Sequence, residues 1–273
     1  MKIGIIGLGF VGGAIYKSFS LHQVNVVRYD KFKSEYNNFS VIEDCDIVFL
    51  ALPTLYSKTE KKYDLCALHE VCDKLSKLNF SGIVVIKSTV EPGVSEELAN
   101  KYKLKIIHNP EFLTARTAFI DFHNQTHIVL GSTLKCSNED VQRVYTFYKM
   151  YWPDAQYSIL TSTETETVKL YCNTFYAVKV QLFNEFYYNC QVDGTDFDKI
   201  VQTMLKNNWI NPMHTKVPGP DGQCSYGGTC FPKDTNALMQ HMSKNGSVHA
   251  IINSCIKERN QIRNETNKTM DST

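Results

Sequence analysis

The 273-residue sequence lacks a charge bias: 29 Lys and Arg stand against 28 Asp and Glu, for a net charge of +1. Nothing in that balance favours nucleic acid or an acidic membrane as partner. No run approaches the ~18 apolar residues of a transmembrane helix. The nine cysteines, at 45, 66, 72, 136, 172, 190, 224, 230 and 255, are odd in number and without CxxC pairing, which argues against a disulfide framework and a zinc site. A reducing, cytosolic compartment fits this usage, and Asn264-Glu-Thr and Asn267-Lys-Thr then read as composition rather than glycan acceptors. Internal repeats and low-complexity segments are also missing. The start, Met1-Lys-Ile-Gly-Ile-Ile-Gly-Leu-Gly9, is too broken by glycine for a signal core and reads as a first strand.

What is there begins with that strand. It runs into Gly7-Leu-Gly9-Phe10-Val11-Gly12-Gly13 and then a helical stretch from Ala14, the strand, Gly-rich turn and helix of a dinucleotide fingerprint. Gly7 makes the turn, Gly9 lets a pyrophosphate approach the backbone, and Gly12 lets helix and strand pack. A second strand ends at Asp30, near the spacing at which a carboxylate takes ribose hydroxyls. Asp30 would repel a 2′-phosphate, so NAD is expected over NADP, with Lys31 and Lys33 able to soften the preference. Further strands deliver Pro53-Thr54, Ser88-Thr89 and Asn109-Pro110-Glu111-Phe112-Leu113 to one carboxyl edge, where ligands bind in doubly wound sheets.

The pattern changes near Ser162. From there to about Gln191 the chain has neither Pro nor Gly and repeats apolar residues at helical spacing, which predicts one long helix capped at Ser162 or Thr163, with Glu166 in its first turn. Lys169 and Asn173, four apart, share one face of it among apolar neighbours. The helix is expected to join a Rossmann-type α/β domain, 1–161, to a small all-α domain, 162–263, and to pair with its copy in a homodimer. A polar tail, 264–273, is expected to fray. His214 in the following loop reads as a surface or hydrogen-bonding residue. The stretch Tyr226-Gly227-Gly228-Thr229-Cys230-Phe231-Pro232-Lys233-Asp234 reads as a nucleophile site. Cys230 stands at a helix entrance, where the dipole and Lys233 favour thiolate, and Asp234 adds a carboxylate able to handle a proton.

Taken in order, Gly7-Leu-Gly-Phe-Val-Gly12, Asp30, Ser88-Thr-Val90, Asn109 to Leu113, Lys169-Leu-Tyr-Cys-Asn173, Phe183-Asn-Glu185, Val217 to Gly222 and Tyr226 to Asp234 resemble the nucleotide-sugar dehydrogenases of the UDP-glucose/GDP-mannose dehydrogenase family. The resemblance implies a four-electron oxidation of a sugar C6 alcohol, most simply that of UDP-glucose, with two NAD reduced. It implies that Thr89, Asn173 and Asp234 order the proton acceptor and that Cys230 attacks the aldehyde. Lys169 and Asn173 would hold the oxyanion, and Glu111 would activate water. Phe112, Leu113, Tyr226 and Gly227 would line the sugar nucleotide; Gly7, Gly9, Phe10, Val11, Gly12, Asp30, Thr54 and Thr89 would hold NAD; and no metal is implied. Family members have an acidic residue shortly after the position of Leu113, where this chain reads Thr114-Ala-Arg116. They also continue into a third domain that grips uridine, before which this sequence stops. A one-step β-hydroxyacid dehydrogenase, or a non-catalytic NAD-binding protein needing a partner, are the alternatives. Neither uses a nucleophilic cysteine.

Overall fold

The computed structural model describes residues 1–263, and the tail expected to fray lies outside them. The chain divides into two compact units, Met1–Thr54 with Asp64–Lys169, and Leu55–Tyr63 with the chain from Leu170 onward. The division thus falls after Lys169 rather than after residue 161. A short segment from the first half of the sequence also goes to the second unit.

In chain order the elements are β1 (Ile3–Ile6), α1 (Phe10–Leu21), β2 (Val26–Tyr29), β3 (Ile47–Leu50), β4 (Tyr56–Ser57), β5 (Lys62–Tyr63), α2 (Cys66–Lys77), β6 (Ile83–Ile86), α3 (Val94–Tyr102), β7 (Lys105–His108), α4 (Ala118–His123), β8 (His127–Ser132), α5 (Asn138–Tyr151), β9 (Gln156–Thr161), α6 (Ser162–Asp193), α7 (Phe197–Leu205), α8 (Phe231–Lys244) and α9 (Ala250–Ile262). Among the described residues no helix is long and apolar enough to cross a membrane.

The first unit is a seven-stranded sheet in the order β2-β1-β3-β6-β7-β8-β9. β1, β3 and β6 are buried throughout, as the continuous Ile/Val runs of a sheet covered on both faces require. One face packs Phe19, Phe49, Phe122, Phe147 and Trp152; the other packs Leu50, Leu68, Leu75, Val84 and Leu98. The sheet is parallel except where β8 meets β7 antiparallel, Gly131 opposite His108. The chain between these two strands carries only the six-residue α4, which lies against α1 through Phe122 on Phe19.

The entrance to α6 also differs from expectation. Its cap is Thr161, whose hydroxyl and amide both donate to Glu164, at 2.7 and 2.8 Å. Glu166 instead reaches the N-terminus of α3, accepting from the Gly93 amide at 2.5 Å and the Ser95 amide at 2.8 Å. Helix ends leave such amides without intrahelical partners, so a residue predicted to start one helix caps another. Burial pushes its carboxyl up to about 7 against the pull of those donors.

The second unit is built from the rest of α6 with α7, α8 and α9, and the β4–β5 hairpin. Phe183, Cys190, Phe197, Val201 and Val217 form one apolar cluster, and Ala177, Tyr226 and Cys255 another. The irregular segment before α8 is held by side chains of α6. The Asn184 carbonyl accepts the Ser225 amide at 2.8 Å, and the Ser225 hydroxyl donates to Gln181 at 2.5 Å. His214 packs against the rings of Tyr176 and Phe231.

Candidate active site

In the first unit the Gly-rich turn is shaped for a dinucleotide. A Cβ on Gly12 would lie 1.8 Å from the Gly7 carbonyl oxygen, whereas one on Gly9, the N-cap of α1, would meet nothing within 4 Å. No side chain caps that helix, so no side-chain oxygen occupies its N-terminus, the arrangement that receives a pyrophosphate. The Asp30 carboxylate accepts the Leu8 amide at 2.7 Å and the Phe32 amide at 3.0 Å, which ties the end of β2 to the turn. Lys31 pairs with Glu70 at 2.9 Å, and Lys33 donates to the Leu8 carbonyl at 2.9 Å. Both cations are engaged within the protein. Phe10 is exposed and Val11 half-buried. These residues fit NAD.

Thr54 and Thr89 meet at the same edge of the sheet. The Thr54 hydroxyl donates to the Thr89 carbonyl at 2.7 Å, and both residues are buried. The proton of the Thr54 hydroxyl is therefore directed at the backbone. Beyond β7, the Glu111 carboxylate accepts the Leu113 amide at 2.7 Å. The buried Lys169 ammonium donates to the Glu111 carbonyl, stands 3.4 Å from its carboxylate, and lies 5.2 Å from the centre of the Phe112 ring. Lys169, Glu111, Phe112 and Leu113 thus form one cluster.

Beneath this cluster lies a residue that sequence reasoning missed. Lys87, at the end of β6, is 2% exposed and donates to the Asn109 side-chain carbonyl at 2.8 Å. The Tyr148 hydroxyl donates to the same oxygen at 2.5 Å, and the Asn109 amide donates to the Val129 carbonyl at 2.7 Å. Burial pulls the Lys87 ammonium down to about 7, with Glu111 opposing that shift. His108 is pushed down to about 3 by burial and by Lys87. Asn109, read as part of a loop motif, is the buried hub that fixes where Pro110-Glu111 begins.

In the second unit, exposed Cys230 is the N-cap of α8, and Pro232 lies in the first turn. A proline there loses no hydrogen bond. The first helical bond runs from the Asp234 amide to the Cys230 carbonyl at 2.9 Å. The Thr229 hydroxyl lies 3.8 Å from the Cys230 sulfur. Lys233, expected beside the thiol, instead directs its ammonium to the Asp234 carboxylate and the face of the Tyr63 ring. A carboxylate next in sequence and fully buried is the stronger partner for a charge.

Asp234 is 0% exposed and gathers donors. Its Oδ2 accepts from the Asn173 side chain at 2.5 Å, and its Oδ1 accepts from the Tyr63 hydroxyl at 2.5 Å. Asn173 and Asp234 are thus brought together as expected. Tyr63 is a member that no local pattern announced.

Tyr226 is buried with its phenol against Cys255, and burial raises that phenol well above its ordinary range. Its carbonyl accepts from Arg259 at 3.1 Å. Gly227 lies close against Arg263. A Cβ there would lie 2.2 Å from the Arg263 guanidinium carbon.

The NAD-binding domain of the UDP-glucose/GDP-mannose dehydrogenase family matches residues 30–149, and the central domain of that family matches residues 163–261. A UDP-glucose 6-dehydrogenase of Campylobacter jejuni is 27% identical over 307 residues, covering 96% of this chain and 72% of the relative. One of Rickettsia bellii is 30% identical over 241 residues, covering 85% and 52%. The solved structure of a UDP-glucose dehydrogenase from Pyrobaculum islandicum superposes with a TM-score of 0.83 at 23% identity, over 95% of this chain and 68% of that one. The chain therefore spans about half of one relative's length and under three quarters of the other's. With both domain matches in order, the chain belongs to the UDP-glucose/GDP-mannose dehydrogenase family.

Proposed function

We propose that the chain oxidises the C6 hydroxyl of a nucleotide sugar, UDP-glucose before others, to the carboxylate. One alcohol and one water are consumed with two NAD; one carboxylate, two NADH and three protons are released. The observation that best supports this is the buried hydrogen bond from Asn173 of α6 to Asp234, which lies in the first turn of the helix headed by exposed Cys230. Binding alone calls for none of these groups.

NAD, when bound, supplies the hydride acceptor for both oxidations. The Gly7–Gly12 turn and Asp30 are assigned to hold it, with Phe10, Val11, Thr54 and Thr89 beside it. Thr89, Asn173 and Asp234 are assigned to place a water that accepts the hydroxyl proton in the first oxidation. The Cys230 thiolate then adds to the aldehyde carbon, forming a C–S bond and an oxyanion. Lys169 and Asn173 stabilise that oxyanion by charge and hydrogen bonding. Loss of the second hydride leaves a thioester. Glu111 takes a proton from water, the water oxygen adds to the thioester carbon, and the C–S bond breaks to return the thiolate. The exposed stripe Tyr171, Phe175, Leu182 and Phe186 on α6 is assigned to a homodimer contact, and the cytosol is the compartment proposed.

Cys230→Ser tests the covalent step. The variant is expected to bind NAD as the wild type does and to form no uronic acid. Undiminished uronic acid formation would sink the thioester route.

A further inference from the structure

We infer that Tyr63 is a positioning residue for Asp234, fixing which of its carboxylate oxygens handles the proton; this rests on the reading of Asp234 given above. Tyr63 ends the β4–β5 hairpin, in which Tyr56 faces Tyr63 and Ser57 faces Lys62. The Ser57 hydroxyl closes the turn, meeting the Thr59 hydroxyl at 2.9 Å and the Glu60 amide at 3.1 Å. Alternation along so short a strand sends Lys62 outward and Tyr63 inward, where it is 1% exposed. The Tyr56 ring meets it edge-on at 6.2 Å between centres. The phenol is therefore held by packing before it meets Asp234.

A carboxylate offers roughly four lone-pair sites, two on each oxygen. Among the described residues, Tyr63 and Lys233 both donate to Oδ1, and Asn173 donates to Oδ2. Oδ1 is thereby filled, and Oδ2 keeps one site open. A buried carboxylate short of donors is costly, and its charge can be held only when its acceptor sites are met. Tyr63 therefore fixes the rotation of the group and leaves Oδ2 as the atom that accepts a proton. The segment carrying it, Leu55–Tyr63, lies outside the stretch that supplies the rest of the second unit.

Tyr63→Phe removes only the hydroxyl, while the ring remains under Lys233 and against Tyr56. With NAD and UDP-glucose, kcat is expected to fall about 10- to 100-fold, the loss of one hydrogen bond to a charged group. KM for both ligands should stay within about twofold of wild type and the circular dichroism spectrum should be unchanged, a split that general loosening of the fold would not give. A variant kcat within twofold of an active wild type would overturn the inference. Ultraviolet resonance Raman difference spectra of ligand-free wild type and Tyr63→Phe read the contact directly, since the tyrosine doublet distinguishes a donating from an accepting phenol. A donor signature that weakens in Asp234→Asn supports the inference; an accepting or solvent-like signature overturns it. A wild type that reduces no NAD would instead defeat the functional reading, and the Raman result would still decide whether Tyr63 donates to Asp234.

Discussion

The Arg263 guanidinium occupies the space that a side chain on Gly227 would need: a Cβ there falls 2.2 Å from the guanidinium carbon. The same guanidinium donates to the Ser225 carbonyl at 3.2 Å and pairs with Asp221, so α9 grips the loop that leads to Cys230. Gly227→Ala should cost about 1–3 kcal/mol through overpacking. In an Arg263→Ala background the same change should be close to neutral, giving a coupling of about 1–2 kcal/mol in a double-mutant cycle by urea unfolding. Additive effects would show that the two residues do not share the space.

Lys87 should make stability depend on pH. Its ammonium is pulled from 10.5 to about 7 by burial, so between those values the unfolded chain holds one more proton than the folded chain and stability from this group rises with pH. Below about 7 both states are charged, and the cost of the buried ammonium is fully present. Lys87→Met should therefore be more stable than wild type at pH 6 by about 1–3 kcal/mol, with the gap narrowing toward pH 9. The check is guanidinium unfolding of both proteins across that range. A gap that is constant or widens with pH would contradict it.

The apolar stripe of α6 is expected to be covered by a second copy. Phe175 and Tyr171, 65% and 55% exposed, are its most open members. Phe175→Glu should shift the protein from dimer to monomer in size-exclusion chromatography with light scattering, because one buried charge left without a partner opposes association strongly. A wild type that is already monomeric would refute the assignment.

The first unit was legible where its signals were local. Gly7 to Gly12 between an apolar run and a helix announces the dinucleotide turn, and α6 announces itself by 30 residues without Pro or Gly. α5 also has a start readable in the sequence, the capping box of Ser137 and Asp140. What the sequence hides is contact at long range. Tyr63 and Asp234 are 171 residues apart, and the two-residue strands of the hairpin carry no alternation long enough to predict. Glu166 obeys the pattern of a first-turn acid and yet caps α3, because the nearest free amides in space are not the nearest in sequence. At Gly227 the group that a side chain would meet is an arginine 36 residues later. The NAD turn lies within one contiguous stretch; the surroundings of Asp234 are assembled from three.

A four-electron oxidation is read from the number of NADH formed per sugar. Purified protein with excess NAD and limiting UDP-glucose, followed by NADH absorbance, should give two NADH for each UDP-glucose consumed, with GDP-mannose and a simple 2-hydroxy acid giving far less. One NADH per sugar, or reduction of NAD by the 2-hydroxy acid instead, would contradict the account.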